Sequence, residues 1–250
     1  MSFSRVYSAQ TNLLSVIPVS VETDISRGLN AFAIVGLPDK AVEEARDRVS
    51  AAIKNSGFDS PKSKNHKVVV SLAPADQRKE GPSFDVSIAL SYLLANKDIS
   101  FDPEEKLFLG ELSLDGQVRR VTGILPIARF AKQNGFKELY VPKENVSEAA
   151  IIDGINIFSV STLSDLIKHL SGTEKIEKAE KTIVKKVKQT ASIDFSDIRG
   201  QERAKRGLLI AAAGGHNCAM YGPPGTGKTM LAKAFAGILP ELTFEEALEA

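Results

Sequence analysis

The chain has 250 residues, of which 43% are hydrophobic and 25% charged, as in an ordinary folded protein of one or two domains and unlike a disordered one. No apolar run approaches the roughly 18 to 20 residues that a membrane span needs, and the first ten residues lack a secretory signal pattern. A single cysteine, Cys218, allows no internal disulfide, which fits a reducing compartment. We therefore expect a cytoplasmic protein without membrane contact.

The formal net charge is +1, which argues against a polyanion binder by bulk charge alone. The one local excess lies in residues 172–191, which carry six lysines and three glutamates. We favour a solvated linker for this segment, and the alternative is a basic strap that contacts nucleic acid.

The first 170 residues alternate strand-like and helix-like patterns, which predicts an α/β domain. Runs rich in β-branched and aromatic residues predict strands at 16–20, 31–35, 68–72, 107–112, 138–141 and 155–160. Pro18 should confine the first of them to a sheet edge. Apolar spacings of three and four predict helices at 40–55, 84–96, 125–134 and 161–170.

A second module begins near Ser192. A helix is predicted over residues 201–213, ended by Gly214 and Gly215, and a short buried strand over residues 217–221. Cys218 lies in that strand, where we expect a small core residue rather than a reactive thiol.

A phosphate-binding motif follows the predicted strand and opens a helix, which is the context that supports it. Glycines let backbone amides turn toward phosphate oxygens, the lysine is expected to reach the β- and γ-phosphates, and the threonine hydroxyl to ligate Mg²⁺. ATP and Mg²⁺ are therefore the expected cofactors. The motif G-x-x-x-x-G-K-[ST] is formed by Gly222, Pro223, Pro224, Gly225, Thr226, Gly227, Lys228 and Thr229.

Several segments resemble known families. Residues 194–201 (DFSDIRGQ) look like the N-terminal signature of AAA+ ATPases, in which the segment around Ile198 lies against the adenine. Residues 194–240 are similar to the magnesium-chelatase-like branch. Four segments of the first module resemble the ComM/YifB family more narrowly. They are FAIVGLPDKAV at 32–42, NSGF at 55–58, LAPAD at 72–76 and RKEGPSFD at 78–85.

The ComM/YifB resemblance implies a Lon-protease-like domain over residues 1–171, with the fold of domain two of ribosomal small-subunit protein five. It implies a Lys-rich linker at 172–191 and the truncated start of a P-loop AAA+ α/β domain at 192–250. It also implies a hexameric DNA helicase that promotes branch migration in recombination of incoming DNA.

Hydrolysis also needs an acidic Mg²⁺ partner, a γ-phosphate sensor and an arginine finger, which we expect beyond residue 250. Asp85 and Glu111 belong to the upstream domain and are not assigned to that role. We therefore expect negligible ATPase activity from these 250 residues. We also expect exposed apolar side chains in the second module, namely Leu208, Ile210, Met230, Leu231 and Leu239.

Ser83 matches the catalytic serine of Lon proteases by resemblance. Leu125 stands at the position of the Lon lysine, and leucine accepts no proton, so no catalytic residue is assigned. Lys79 remains a substitute base to test. The alternative for Ser83 is a cap on the helix that starts near Phe84.

Other candidates are weaker. His66, His169 and His216 share no metal-ligand spacing and are interpreted as surface or satisfied histidines. Two basic pairs, Arg78–Lys79 and Arg119–Arg120, face either solvent, which we favour, or DNA. Two further functions stay open as alternatives: an ATP-dependent Lon-like serine protease and a metal-chelatase motor subunit.

Overall fold

The protein is described by a computed structural model over residues 2–12, 15–63, 65–183, 193–243 and 246. It divides into two compact units, Met1–Ile183 and Val184–Ala250. The strands are β1 (Ser2–Asn12), β2 (Ser15–Arg27), β3 (Ala31–Val35), β4 (His66–Ala73), β5 (Lys106–Phe108), β6 (Glu111–Leu112), β7 (Val118–Arg119), β8 (Glu138–Pro142) and β9 (Asn156–Val160). The helices are α1 (Lys40–Asn55), α2 (Asp85–Ala95), α3 (Ile124–Gln133), α4 (Val146–Ala149), α5 (Leu163–Leu170), α6 (Glu202–Gly214) and α7 (Lys228–Ile238).

A seven-stranded sheet organises the first unit, in the order β3-β4-β2-β1-β5-β8-β9. The run β1, β5, β8 and β9 is parallel, as is the pair β3 and β4. The long hairpin of β1 and β2 is antiparallel, and so is the pairing of β2 with β4. The mixed α/β class expected from the sequence is confirmed, and the sheet is mostly parallel.

Two helices pack on this sheet, α2 against its central strands and α1 beside α2 at the edge strand β3. The first, α1, begins where the Asp39 side chain accepts a bond from the Val42 amide at 2.8 Å, and it ends before Gly57, whose φ of 90° favours glycine. The second, α2, contacts β1, β2 and α1 and is buried on nearly every side. A helix that is apolar all round belongs in a core, and α2 fills the centre of this one.

Strand β1 was not predicted, and the expectation for Pro18 was wrong in part. β2 lies between β1 and β4, so it is an interior strand. Its pairing with β4 begins only at Ser20, whereas its pairing with β1 extends through Pro18. Pro18 therefore lies in an overhang that needs no amide donor on the β4 side.

The predicted strand at 107–112 is two strands in different sheets. β5 belongs to the large sheet, whereas β6 pairs with β7 in a small antiparallel ribbon. Gly110 lies between them with φ of 156°, and a Cβ there would lie 2.5 Å from Val118 and 2.8 Å from Val86. The chain turns out of the large sheet at this glycine.

Residues 173–183, called the strap below, follow α5 and turn back along β9. Lys178 and Phe158 form an antiparallel bridge, and the Ala179 amide donates to the Ile157 carbonyl at 2.8 Å. The strap therefore belongs to the first unit. Residues 184–191 of the predicted linker lie outside the described residues, which resume at Ile193.

The described part of the second unit is held by a small apolar cluster. A 3-10 turn, Phe195–Asp197, opens it with a reciprocal cap, in which the Ser196 amide donates to Asp194 and the Asp194 amide donates to Asp197, each at 2.8 Å. Helices α6 and α7 then pack together. The buried side chains of the cluster are Ile198, Leu208, Leu231 and Ala234.

Three expectations for this unit were wrong: the strand at 217–221, the burial of Cys218, and the exposure of Leu208 and Leu231. Residues 217–221 form no strand, and Cys218 is exposed rather than a core residue, since no described residues pair with this segment. Leu208 and Leu231 are buried because α6 and α7 cover each other. Ile210, Met230 and Leu239 are exposed, as expected. No helix in the described ranges combines the length and apolarity that a bilayer span requires.

Candidate functional site

The phosphate-binding motif forms an exposed loop that leads directly into α7. Gly225 and Gly227 have φ of 81° and 82°, the left-handed region that favours glycine. A Cβ built at either position would meet no atom within 4 Å, so the loop backbone is open to an approaching group. The Leu231 amide donates to the Gly227 carbonyl at 3.0 Å, which starts the helix at the end of the loop.

Lys228 folds its ammonium group over the loop. Nζ donates to the Gly222 carbonyl at 2.8 Å and to the Pro223 carbonyl at 2.7 Å. The Thr226 hydroxyl donates to the same Pro223 carbonyl at 2.9 Å. Thr229 is exposed in the first turn of α7. A positive charge, glycines with open backbone and an exposed threonine are therefore gathered at one helix N-terminus, a set of groups suited to a nucleoside triphosphate with Mg²⁺.

A cavity of about 530 Å³ adjoins the loop on the side of α6. Its walls include Gln201, Gly207 and Met220, together with the loop residues Gly222 and Lys228. Ile198 is not at this wall, since it is buried in the cluster below α6 and α7. The side chain of Gln201 donates to the Thr226 carbonyl at 3.4 Å, which joins the start of α6 to the loop.

Ser83 lies in a second cavity, of about 240 Å³, in the first unit. It belongs to the 3-10 turn Pro82–Phe84 that precedes α2. Other walls are the end of β1 at Thr11, Glu111 of β6, and Arg120 and Thr122 of the loop after β7. Leu125 is not among the lining residues, and its amide donates to Glu148 Oε1 at 3.1 Å.

Lys79 is not positioned as a base for Ser83. It is fully buried, and its Nζ donates to the Pro74 carbonyl and, at 2.7 Å, to the Gln77 carbonyl. Burial lowers the pKa of Lys79. The ammonium thus holds its own loop together. For Lys79, both the favoured prediction of a solvated charge and the alternative of a DNA contact are therefore wrong.

The predicted helix cap by Ser83 is also wrong. Among the described residues, no side chain caps the 3-10 turn or α2. The Ser83 carbonyl, not its hydroxyl, is bonded, accepting from the Gly110 amide at 3.0 Å. The 3-10 turn moves the start of α2 to Asp85, beyond the reach of a serine cap at 83.

Replacing Ser83 by Ala should change the free energy of unfolding by less than about 0.5 kcal/mol, because no cap bond is lost. Thr162→Ala is the matched control, since the Thr162 side chain accepts from the Asp165 amide at 3.1 Å and caps α5. That control should lose about 1 kcal/mol. Urea unfolding measures both, and an equal loss in the two variants would contradict the assignment.

Two polar residues that the sequence did not single out hold the loop before Ser83. Gln10 is buried, donates to the Arg78 carbonyl at 2.7 Å and accepts from the Glu80 amide at 3.2 Å. Asp39, besides capping α1, accepts from the Gly81 amide at 3.1 Å. The cap pattern of Asp39 is readable from sequence, whereas Gln10 gives no local signal.

Comparison with known proteins agrees with the motif. One family model, described as subunit ChlI of Mg-chelatase, matches residues 21–145, and another, described as magnesium chelatase, subunit ChlI, matches residues 194–250. The competence protein ComM of Haemophilus influenzae is 41% identical over 253 residues, covering 100% of this chain and 49% of that protein. YifB of Escherichia coli is 41% identical over 250 residues, covering 100% and 48%. The chain belongs to the ComM/YifB family.

The chain spans about half the length of the curated ComM and YifB relatives that it matches. A shorter likeness links it to the DNA repair protein RadA of Streptococcus pneumoniae, 32% identical over 87 residues, or 35% of this chain and 20% of RadA. The Mg-chelatase-like proteins are P-loop AAA+ ATPases, which gives this ComM/YifB chain an expected use of ATP and Mg²⁺.

Arg119 and His169, two of the remaining polar candidates of this ComM/YifB chain, contact other side chains of the first unit. Arg119 and Arg120 are exposed, and Arg119 lies 3.8 Å from Glu111. His169 is bonded at both ring nitrogens. Among the described residues, no group of three or more His, Cys, Asp or Glu side chains is arranged to hold a metal ion.

Proposed function

We propose that this chain carries the nucleotide-binding part of an ATP-driven DNA translocase, a helicase that acts in branch migration as a hexameric ring. The observation that carries the proposal is the loop at Gly222–Thr229, with Lys228 at its mouth and α7 behind it. The likeness to a competence protein, over the whole of this chain and about half of that protein, and the shorter likeness to a DNA repair protein support DNA as the track.

In this proposal the loop amides and Lys228 hold the phosphates, and Thr229 contributes a hydroxyl to Mg²⁺. Bound Mg²⁺ would offset the negative charge of the β- and γ-phosphates. Ile198 and its cluster support the start of α6 beside the loop. We also propose that the 250 residues alone bind ATP with negligible turnover, which phosphate release compared with that of a longer chain would test.

We further propose a Lon-protease-like fold for residues 1–171, used for assembly or DNA handling rather than peptide cleavage. The absence of cleavage is supported by Lys79, which is bonded to two loop carbonyls, and by Leu125, which stands where the Lon resemblance places the basic residue and does not line the Ser83 cavity. A serine without a base is a poor nucleophile. The second module, 192–250, is then the start of the AAA+ domain, and the whole acts in the cytoplasm.

A chelatase motor is the rival function that an observation favours. Both family models carry the chelatase name, and one of them covers much of the first unit. The first unit therefore does not by itself separate the two functions. The likeness to ComM over the whole of this chain favours the translocase.

Unwinding of a Holliday junction by the complete protein decides between these functions. We expect ATP-dependent unwinding by the wild type, its loss in Thr229→Ala, and its retention in Lys233→Ala, a change on the exposed side of the same helix. Peptide cleavage abolished by Ser83→Ala would instead support a protease. Metal insertion into a tetrapyrrole without junction unwinding would support the chelatase motor.

A further inference from the structure

The strap covers one outer edge of the large sheet. It forms a bridge between Lys178 and Phe158. Two backbone hydrogen bonds also hold it, from the Ala179 amide to the Ile157 carbonyl at 2.8 Å and from the Thr182 amide to the Ala150 carbonyl at 2.9 Å. Among the described strands, β9 pairs only with β8. The strap therefore shields a backbone edge that would otherwise be free for another strand.

The strap is held lightly. Its side chains are exposed except for Ile176, Ala179 and Thr182, which are half-buried. A cavity of about 410 Å³ lies between residues 178–181 of the strap and the apolar wall that follows α4. The ion pair of Lys181 with Asp153, 2.7 Å long, is exposed. Few buried contacts and an incompletely filled interface mark a segment that can open while the rest stays folded.

His169, in the last turn of α5, is the most specific attachment of the strap. Its Nδ1 accepts from the Ile176 amide at 2.8 Å. Its Nε2 lies 3.3 Å from the Tyr140 hydroxyl, which in turn donates to Glu138 Oε2 at 2.8 Å. Only the neutral ring with its proton on Nε2 fits this chain of bonds, since Nδ1 must be the acceptor.

Protonation is incompatible with that arrangement. A proton on Nδ1 would face the Ile176 amide, so two donors would oppose each other and the bond would be lost. We propose that His169 is the latch of a pH-sensitive clasp: the neutral imidazole holds the strap on β9, and the imidazolium releases it.

The surroundings of His169 set the direction of the switch. Burial lowers the pKa of His169, whereas the negative charge of Glu138 on β8 raises it. The positive charges of Lys106 on β5 and Lys175 in the strap lower it further. The aromatic rings of Phe158 and Tyr140 pack against it without charge. The pKa of His169 is lower when the strap is attached than when it is released. Attachment is therefore strongest above the ordinary histidine pKa near 6.5, and it weakens as the pH falls through the lowered pKa of the attached state.

Release would uncover the edge of β9 that the strap covers and the cavity wall beside it. The clasp thereby couples acidification to the exposure of a strand edge in the first unit, independently of what the second unit binds.

Amide hydrogen exchange on the 250-residue chain tests the clasp, with rates corrected for the intrinsic effect of pH. Between pH 7.5 and 5, protection at Ile176, Ala179 and Thr182 should fall about threefold or more relative to amides of α2. His169→Gln keeps an acceptor for the Ile176 amide and does not titrate, so its protection should be independent of pH. His216→Gln, in the second unit, should behave as the wild type.

The proposal is overturned by unchanged protection at pH 5 in the wild type, or by the same fall in His169→Gln. Ala179→Pro provides an independent test, because it removes the amide that donates to Ile157. The pKa of His169, followed by NMR, should rise toward its ordinary value in that variant while the exchange of α2 amides stays slow. A His169 pKa that does not respond to loss of the strap would also overturn the clasp.

Discussion

Replacing Arg48 by Met should lower the free energy of unfolding of the first unit by about 3 to 5 kcal/mol near neutral pH, because it leaves a buried carboxylate without its partner. Arg48 Nε and Nη2 bind the two oxygens of Asp85 at 2.7 and 3.0 Å. The Asp85 side chain is 1% exposed, and the Leu112 amide donates to it at 3.1 Å. This ion pair thus joins α1, α2 and β6 at one point.

The loss should depend on pH in a defined direction. Burial raises the pKa of Asp85 to about 6, while Arg48 and the Leu112 amide oppose the rise. Without Arg48 the pKa rises further. A carboxyl group whose pKa is higher in the folded state stabilises the fold at pH values below its ordinary pKa. This stabilisation is lost as the pH rises through the pKa of the folded state. The cost of Arg48→Met should therefore be smaller at pH 5 and grow between pH 6 and 8.

Urea unfolding followed by near-ultraviolet circular dichroism measures this loss in the full chain. Tyr7, Tyr92 and Tyr140 belong to the first unit, whereas Tyr221 is fully exposed in the second and should contribute little. Arg5→Met is the matched control, since Arg5 pairs with Glu22 at 2.8 Å on an exposed part of the sheet. The control should lose much less. An equal cost of Arg48→Met at pH 5 and pH 8 would contradict the assigned role of Asp85.

Local pattern predicted the amphipathic parts of the fold and missed one of its central strands. Helix α1 runs over the predicted residues 40–55, because spacing, an aspartate cap and a terminal glycine all agree. β1 was missed because it buries polar residues. Ser8, for example, is fully buried and donates to the Phe108 carbonyl at 2.9 Å. This bond joins Ser8 to a residue 100 positions away, which no local window contains, although the hairpin partner β2 follows β1 directly.

Glycine position explains a second limit of prediction. The run at 107–112 is apolar except at Gly110 and Glu111, and its pattern alone does not show that it is divided between two sheets. Gly110 divides it because Val86 and Val118 leave no room for a side chain. The strand predicted at 217–221 failed for the opposite reason, since a suitable sequence forms a strand only where a partner strand is present.

The candidate site divides in the same way. The phosphate-binding motif is contiguous, so its eight residues are found from the sequence, and their roles toward a nucleotide stay a prediction. Other contacts depend on the folded chain. The fold brings Arg48 to Asp85 and the strap to His169, and a loop's own turn brings Lys79 to the Gln77 carbonyl. Type and spacing of residues do not reveal such contacts.

The affinity for ATP should fall more than tenfold when Lys228 is replaced by Ala. The lysine is the charged group at the mouth of the loop, and charge-assisted bonds to phosphate are roughly twice as strong as neutral ones. The bonds that Lys228 makes to the Gly222 and Pro223 carbonyls lie at an exposed loop, so the helix behind it should remain folded. Far-ultraviolet circular dichroism checks that the helix content is unchanged.

Lys233→Ala is the control that separates local charge from a specific contact. Lys233 carries the same charge on the same helix, is exposed, and lies more than one turn beyond the loop. Isothermal titration with ATP and Mg²⁺ should give wild-type affinity for this variant and a greater than tenfold loss for Lys228→Ala. Equal weakening in both variants would mean that general electrostatic attraction holds the nucleotide. Unchanged affinity in both would place the nucleotide away from this loop.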